Sequence, residues 1–163
     1  MKDYSYIKVS FYHKDIMIFK DITKKLCTPE DLYYSDIASG ISGDVSSKLH
    51  YTLFYGLADS VNKLEIWKYV KNIQLPELKL GKLFLIPGWQ NQYQVLCIEV
   101  LDPDNNLKQL SNSFKQFIYV EKVQYQNIIP HITLAYVNLN YSLKDVPELP
   151  TSLKIKEIKF IKK

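Results

Sequence analysis

The sequence contains no arginine, and its net charge of +4 comes from 21 lysines set against 17 acidic residues. Because no guanidinium fork is available, a bound phosphate must be held by lysine ammonium groups, hydroxyls or backbone N–H groups. Bidentate reading of base pairs in a duplex groove relies heavily on arginine. The composition therefore argues against double-stranded DNA as a partner.

Cysteine is scarce as well, and Cys27 and Cys97 lie far apart in the chain. They form no Cys-x-x-Cys pair, which argues against a zinc knuckle and against a thioredoxin-type redox site. We interpret both as reduced packing residues, and we predict neither a bound metal nor a cofactor.

Long apolar runs are also missing, since none approaches the roughly 20 residues that a transmembrane helix needs. The N-terminus alternates polar and apolar residues and includes Asp3 and Lys8, so it lacks the continuous apolar core of a secretory signal. We expect a cytoplasmic protein without a membrane partner.

The chain of 163 residues is 47% hydrophobic and 23% charged, which is typical of one globular domain, assigned here to residues 1–163. Alternation and apolar runs predict strands at about 3–12, 78–88, 93–101 and 153–161. Residues 22–38 look irregular or partly helical, and the residues 39–48, rich in glycine and serine, are typical of a surface loop.

Two segments have helical spacing. The first would be capped by Asp59 or Ser60. Its predicted inward face consists of Val61, Leu64, either Trp67 or Tyr69, and Val70. The second covers about residues 104–118. Helices that alternate with strands in this order predict an α+β fold.

Five lysines lie among the last ten residues, namely Lys154, Lys156, Lys159, Lys162 and Lys163. They could attract an anionic ligand. We favour the interpretation that they form a lysine-edged terminal strand, because lysines on an edge strand oppose aggregation.

One motif occurs twice, as His-x-Thr-Leu-x-Tyr starting at His50 and again at His131. Successive side chains on a strand alternate faces, so His50, Thr52 and Phe54 are predicted to share one face, opposite Tyr51 and Tyr55. The two motifs occupy corresponding places in the two halves of the chain. A pseudo-symmetric duplication would make the two His/Thr faces line one groove.

This set of side chains suits a phosphodiester. Cleaving a P–O bond needs a base for the attacking oxygen, an acid for the leaving oxygen, and donors for the non-bridging oxygens. Histidine, with an ordinary pKa near 6.5, serves as either base or acid at neutral pH. His50 and His131 are therefore the candidate acid and base, and Thr52 and Thr133 the candidate donors.

Other interpretations of the same residues exist. The histidines could be satisfied strand residues, and the threonines could reflect β-propensity alone. A metal site made from both histidines and a carboxylate is disfavoured, because the sequence has no His-x-x-x-His spacing.

The paired motif resembles the signature of the 2H phosphoesterase superfamily, also called the LigT-like or 2′-5′ RNA ligase-like family. The resemblance implies a bilobal α+β fold with antiparallel sheets flanking a central cleft and helices outside. It also implies catalysis without a metal or cofactor by His50, Thr52, His131 and Thr133.

Within that superfamily the chain resembles phage anti-CBASS phosphodiesterases, which degrade cyclic oligonucleotide signals of bacterial antiviral defence. This likeness implies a cyclic di- or oligonucleotide as substrate, with Tyr12 and Trp89 stacking on bases and Glu157 accepting from an exocyclic amine. The alternatives are an enzyme that acts on RNA ends carrying 2′,3′-cyclic phosphates or 2′-5′ links, and a non-catalytic binder that sequesters nucleotides.

Overall fold

A computed structural model describes residues 4–35, 43–75, 77–124 and 129–163 of the protein. These ranges contain three helices, α1 (His13–Leu26), α2 (Lys63–Lys71) and α3 (Asn106–Ser113). They also contain six strands: β1 (Ser5–Phe11), β2 (His50–Leu57), β3 (Glu77–Pro87), β4 (Gln94–Leu101), β5 (His131–Val137) and β6 (Ser152–Ile161). The predicted α+β class is confirmed, and every predicted strand is present.

The six antiparallel strands close into a barrel in the order β1-β2-β5-β4-β3-β6. The barrel consists of two three-stranded halves, β6-β1-β2 and β5-β4-β3, which meet where Tyr51 of β2 pairs with Ile132 of β5. Each half takes its third strand from the other half of the chain. Strand β3 follows β2 in the sequence but pairs with β4, and β6 follows β5 but pairs with β1. The two motif strands are therefore direct neighbours at the centre of the molecule.

The helices cover the apolar face of the strands. Ile22 of α1, Ile66 of α2 and Leu107 of α3 belong to the same buried cluster as Val9 and Ile132 from the sheet. Burial of this continuous apolar surface is the main force that holds helices and sheet together. The opposite face of the central strands is left to carry polar side chains.

Both motif strands contain a β-bulge at the same position. Leu53 is the extra residue between the pairs Ile7↔Phe54 and Lys8↔Thr52, and Leu134 is the extra residue in the other strand, between Leu96↔Ala135 and Cys97↔Thr133. A bulge interrupts the alternation of faces. The expectation that Phe54 shares a face with His50 and Thr52 is therefore wrong, and Phe54 is only 3% exposed.

The helix boundaries also differ from the predicted ones. Helix α1 was not predicted at its start, but it runs to Leu26, so the segment 22–38 is partly helical, as one of the two alternatives had it. The side chain of Asn62, rather than Asp59 or Ser60, caps α2 by accepting from the backbone N–H groups of Leu64 and Glu65. Val61 and Val70 are buried as predicted, and Tyr69 packs against the core, whereas Leu64 and Trp67 are 58% and 55% exposed. Helix α3 ends earlier than predicted, at Ser113, and a 3₁₀ turn follows it.

Two further expectations are corrected by strand pairing. In the predicted surface loop, residues 39–42 lie outside the described residues, but Gly43 and Ser46 are buried, and the N–H of Val45 donates to the carbonyl of Leu134. Residues 43–46 lie against the sheet because they pair with the part of β5 that β2 leaves free, while Ser47 and Lys48 are exposed. Strand β6 is not an edge strand, since it pairs with β1 and with β3. Within the described residues, no helix is long and apolar enough to span a membrane.

Candidate active site

The four histidine and threonine side chains of the repeated motif line one groove, which has a volume of about 1150 Å³. Tyr51 and Ile132 form the register pair between the two strands and point into the core. Antiparallel geometry then places His50 across from Thr133 and Thr52 across from His131, on the opposite face. Directly opposite side chains have Cβ atoms about 4.5–5.5 Å apart, and diagonal neighbours are about 7–8 Å apart. The two imidazoles can therefore flank a single bound group.

Both imidazole rings are oriented by the same local contact. Nδ1 of His50 lies 2.9 Å from the carbonyl oxygen of Lys48, and Nδ1 of His131 lies 2.8 Å from the carbonyl oxygen of Ile129. A carbonyl oxygen only accepts, so Nδ1 must carry the proton in each ring. The neutral rings thus present an unprotonated Nε2, which is the atom that can take up a proton.

The surroundings of His50 favour its neutral form. Burial lowers the pKa of this imidazole, the bond to the Lys48 carbonyl partly opposes that effect, and the positive charge of Lys8 lowers the pKa further. Lys8 lies on β1 directly opposite Thr52. The ring of Tyr6 flanks the same imidazole, with ring centroids 6.3 Å apart.

His131 has different neighbours. Glu99 of β4 is its cross-strand partner and lines the same groove, while the ring of Phe84 meets the imidazole edge-on at 6.2 Å. The carboxylate of Glu99 lies against Gly81 of β3, where an added Cβ would come within 2.4 Å of it. The two halves therefore share a backbone plan and differ in the charges placed beside the histidines.

Cys97 lies directly opposite Thr133 and is fully buried. Burial raises the pKa of its thiol to about 12, although a hydrogen bond with Thr133 acts in the opposite direction. The sulfur therefore stays protonated at neutral pH and is a poor nucleophile. This agrees with the interpretation of Cys97 as a packing residue.

The predicted base-binding residues lie away from this groove. Tyr12 precedes α1 and is 42% exposed, and Trp89 is 60% exposed in the connection between β3 and β4. Glu157 lies on β6 opposite Ser10, which is itself opposite His50, but it lines a second groove and contacts Lys159 at 2.8 Å. Their roles in base recognition stay predictions.

Lys8 and Glu99 were not singled out from the sequence, although both lie beside the motif residues. The sequence does place both residues on predicted strands. What the sequence does not give is the strand order that brings β1 and β4 against the two motif strands. Among the described residues, no group of three His, Cys, Asp or Glu side chains is arranged to hold a metal ion.

No protein-family model and no curated protein matches the sequence. Solved structures do match the fold. The crystal structure of E. coli LigT in its apo form matches with a TM-score of 0.63 and 17% identity over 97% of this chain and 86% of LigT. The chain has the LigT fold.

Two further structures agree. The crystal structure of a phosphoesterase matches with a TM-score of 0.62 and 17% identity over 98% of this chain and 87% of the other. The crystal structure of E. coli LigT complexed with 3′-AMP matches with a TM-score of 0.59 and 16% identity over 97% of this chain and 86% of LigT. The LigT-like fold that the paired motif predicted is therefore confirmed.

Proposed function

We propose that the protein is a phosphodiesterase that uses His50 and His131 as a pair of proton-transfer groups and needs no metal ion. The observation that carries the proposal is the symmetric arrangement of two histidines and two threonines around the Tyr51–Ile132 pair. Both imidazoles are held in the same tautomer by a backbone carbonyl. Proteins that share the LigT fold include one described as a phosphoesterase, which supports the same reaction class.

In the proposed reaction, a ribose 2′-OH or a water molecule attacks phosphorus. As the new O–P bond forms, one histidine accepts the proton of the attacking oxygen, and as the opposite P–O bond breaks, the other histidine protonates the leaving oxygen. Thr52 and Thr133 donate hydrogen bonds to the non-bridging oxygens, where negative charge accumulates. Each positioned proton transfer contributes roughly 10²–10⁴ in rate.

The surroundings support assigning the base role to His50 and the acid role to His131. A base must be neutral before the reaction, and burial together with Lys8 lowers the pKa of His50. His131 has a carboxylate residue, Glu99, as its cross-strand partner. The opposite imidazole, His131, then takes the acid role.

The proposed substrate is a cyclic di- or oligonucleotide signal of bacterial antiviral defence, as the resemblance to phage anti-CBASS enzymes suggests. A second candidate function is supported by the LigT structure that holds 3′-AMP, because a nucleoside 3′-phosphate corresponds to the phosphorylated 3′ end of an RNA. In that case the enzyme would open a 2′,3′-cyclic phosphate or act on a 2′-5′ link.

The test is to incubate the purified protein, in EDTA, with cyclic di- and trinucleotides and with an RNA that ends in a 2′,3′-cyclic phosphate. Products are identified by mass. We expect turnover by the wild type and a loss of at least roughly 100-fold in His50→Ala and His131→Ala. His13→Ala is the matched control, because this exposed histidine lies at the start of α1, and the substitution should leave the rate unchanged.

Each outcome selects one function. Cleavage of the cyclic nucleotides supports the defence-signal substrate, and processing of the RNA end alone replaces it with the second candidate. If no substrate is cleaved but nucleotide stays bound to wild type and to His50→Ala, the protein is a sequestering binder and the catalytic proposal fails.

A further inference from the structure

A second groove lies between α2 and β6 and has a volume of about 1250 Å³. It shares no lining residue with the groove of the four motif side chains. One wall is the exposed side of α2, where Lys63, Trp67 and Lys71 follow one another at intervals of four residues. Residues spaced by four lie on one face of a helix, so these three side chains form a stripe along the groove.

The charge of this groove is positive. Its lining includes Lys63, Lys71, Lys156 and Lys159, together with the carboxylate of Glu157. That carboxylate contacts Lys159 at 2.8 Å, which leaves the other three ammonium groups as excess charge among the described lining residues. Lys162 is near enough to Lys63 to lower the pKa of that ammonium group, so two like charges are held together at one end of the stripe. A bound anion would relieve this repulsion.

The aromatic member of the stripe is accessible. Trp67 is 55% exposed, which is unusual for a side chain whose burial would stabilise the fold by a few kcal/mol. The ammonium group of Lys71 lies 4.8 Å from the centre of the indole ring and orients the ring by a cation–π contact. An exposed indole between two lysines is a platform for a flat, anionic ligand.

We propose that this groove binds single-stranded nucleic acid, with lysines contacting phosphates and Trp67 stacking on a base. A positively charged groove combined with an aromatic platform is the arrangement by which proteins bind single strands without sequence preference. A duplex keeps its bases stacked inside and cannot use the indole. A purely acidic peptide would use the lysines but would gain nothing from the ring.

This inference does not depend on the proposed catalysis, so it is tested by binding alone. The probe is a fluorescently labelled 12-nucleotide oligothymidylate, which lacks the 2′-OH and is titrated with the full-length wild-type protein while anisotropy is recorded. We expect Trp67→Ala to weaken binding roughly 5- to 150-fold, which is the loss of one stacked base. Tyr34→Ala is the matched control, because Tyr34 is also an aromatic residue, is 60% exposed and lies outside both grooves.

The lysines are tested by salt dependence. Replacing Lys63 and Lys71 with glutamine removes two phosphate contacts, and the slope of log K against log salt should become shallower by about 1.4. Circular dichroism of each variant establishes that α2 is still folded.

Three results would overturn the proposal. They are an absence of binding by the wild type, equal affinity of Trp67→Ala and wild type, and displacement of the oligonucleotide by polyglutamate as readily as by unlabelled strand. The last result would identify the groove as a site for acidic peptides. Loss of turnover in His50→Ala or His131→Ala has no bearing on these outcomes, so the two proposals fail independently.

Discussion

Replacing Lys8 with methionine removes one positive charge beside His50 and keeps the length of the side chain. Lys8 lowers the pKa of His50, so its removal should raise that pKa. At a fixed pH close to it, a larger fraction of the imidazole is then protonated and a smaller fraction can act as base. The acidic limb of the kcat/KM profile should accordingly move to higher pH, because activity is lost when the base becomes protonated.

The size of this effect follows from the register of the strands. Lys8 lies opposite Thr52, which makes it a diagonal neighbour of His50, and such neighbours are about 7–8 Å apart. Two unit charges at that distance interact by roughly 0.5 kcal/mol in water and roughly 2 kcal/mol at an effective dielectric constant of 20. Because Lys8 is partly exposed, the lower half of this range applies. The ratio of protonated to neutral imidazole should therefore rise roughly two- to eightfold.

The measurement is an NMR titration of the imidazole resonances, which is simple because the chain has only 3 histidines. The matched control is Lys159→Met. Lys159 lies opposite Lys8 on β6, one strand farther from His50, and its ammonium group contacts Glu157. Lys159→Met should change the protonated fraction of His50 less than Lys8→Met does. An unchanged or reduced protonated fraction of His50 in Lys8→Met, or an equal change at His13, would refute the electrostatic reasoning.

Two further predictions follow from the site and its frame. The first uses a nucleotide 4-nitrophenyl phosphodiester as substrate, because its leaving group needs no proton. If His131 is the acid, this substrate should restore most of the rate that His131→Ala loses, which is roughly 10²–10⁴-fold, but should not restore the rate of His50→Ala. Equal restoration in both variants would contradict the assignment. Gly56 has φ +96°, and an added Cβ would lie 2.5 Å from Cγ2 of Val123, so Gly56→Ala should cost about 1–3 kcal/mol and lower Tm by several degrees in a thermal melt.

The sequence predicted the chemical groups of the site better than their arrangement. The repetition of His-x-Thr identified His50, Thr52, His131 and Thr133, and all four line one groove. The proximity of the two motifs depends on the exchange of β3 and β6 between the halves, which closes the barrel around β2 and β5. No local pattern encodes that exchange, because it concerns which strands pair and not which residues form strands.

The helices show a second limit. Helix α2 was predicted from apolar spacing that included Leu64 and Trp67, yet Ile66 and Val70 are the buried residues. The buried face is set by packing against β6, with which α2 makes its contacts. Of the two alternatives that the spacing allowed, Tyr69 packs against the core and Trp67 lies in the second groove.

The Leu-x-Tyr that follows His-x-Thr in both motifs has a structural explanation. In each strand the leucine is the extra residue of a β-bulge, so it and the next residue are both buried, and the tyrosine returns toward the face of the histidine. A one-residue shift of this kind exchanges the two faces of a strand. The repeated sextet therefore combines a histidine and a threonine on one face with a bulge that buries the leucine and the residue after it.

The outer strands then distinguish two sites that the motif makes alike. Where the first half places Ser10 opposite His50 and Lys8 opposite Thr52, the second half places Glu99 opposite His131 and Cys97 opposite Thr133. A symmetric pair of histidines would have equal proton affinities and no preferred direction of transfer. The positive charge of Lys8 helps to break that equality, because it lowers the pKa of His50 in addition to the effect of burial. In the proposed reaction, β2 and β5 supply the proton-transfer groups, and Lys8 on β1 favours His50 as the one that receives the proton.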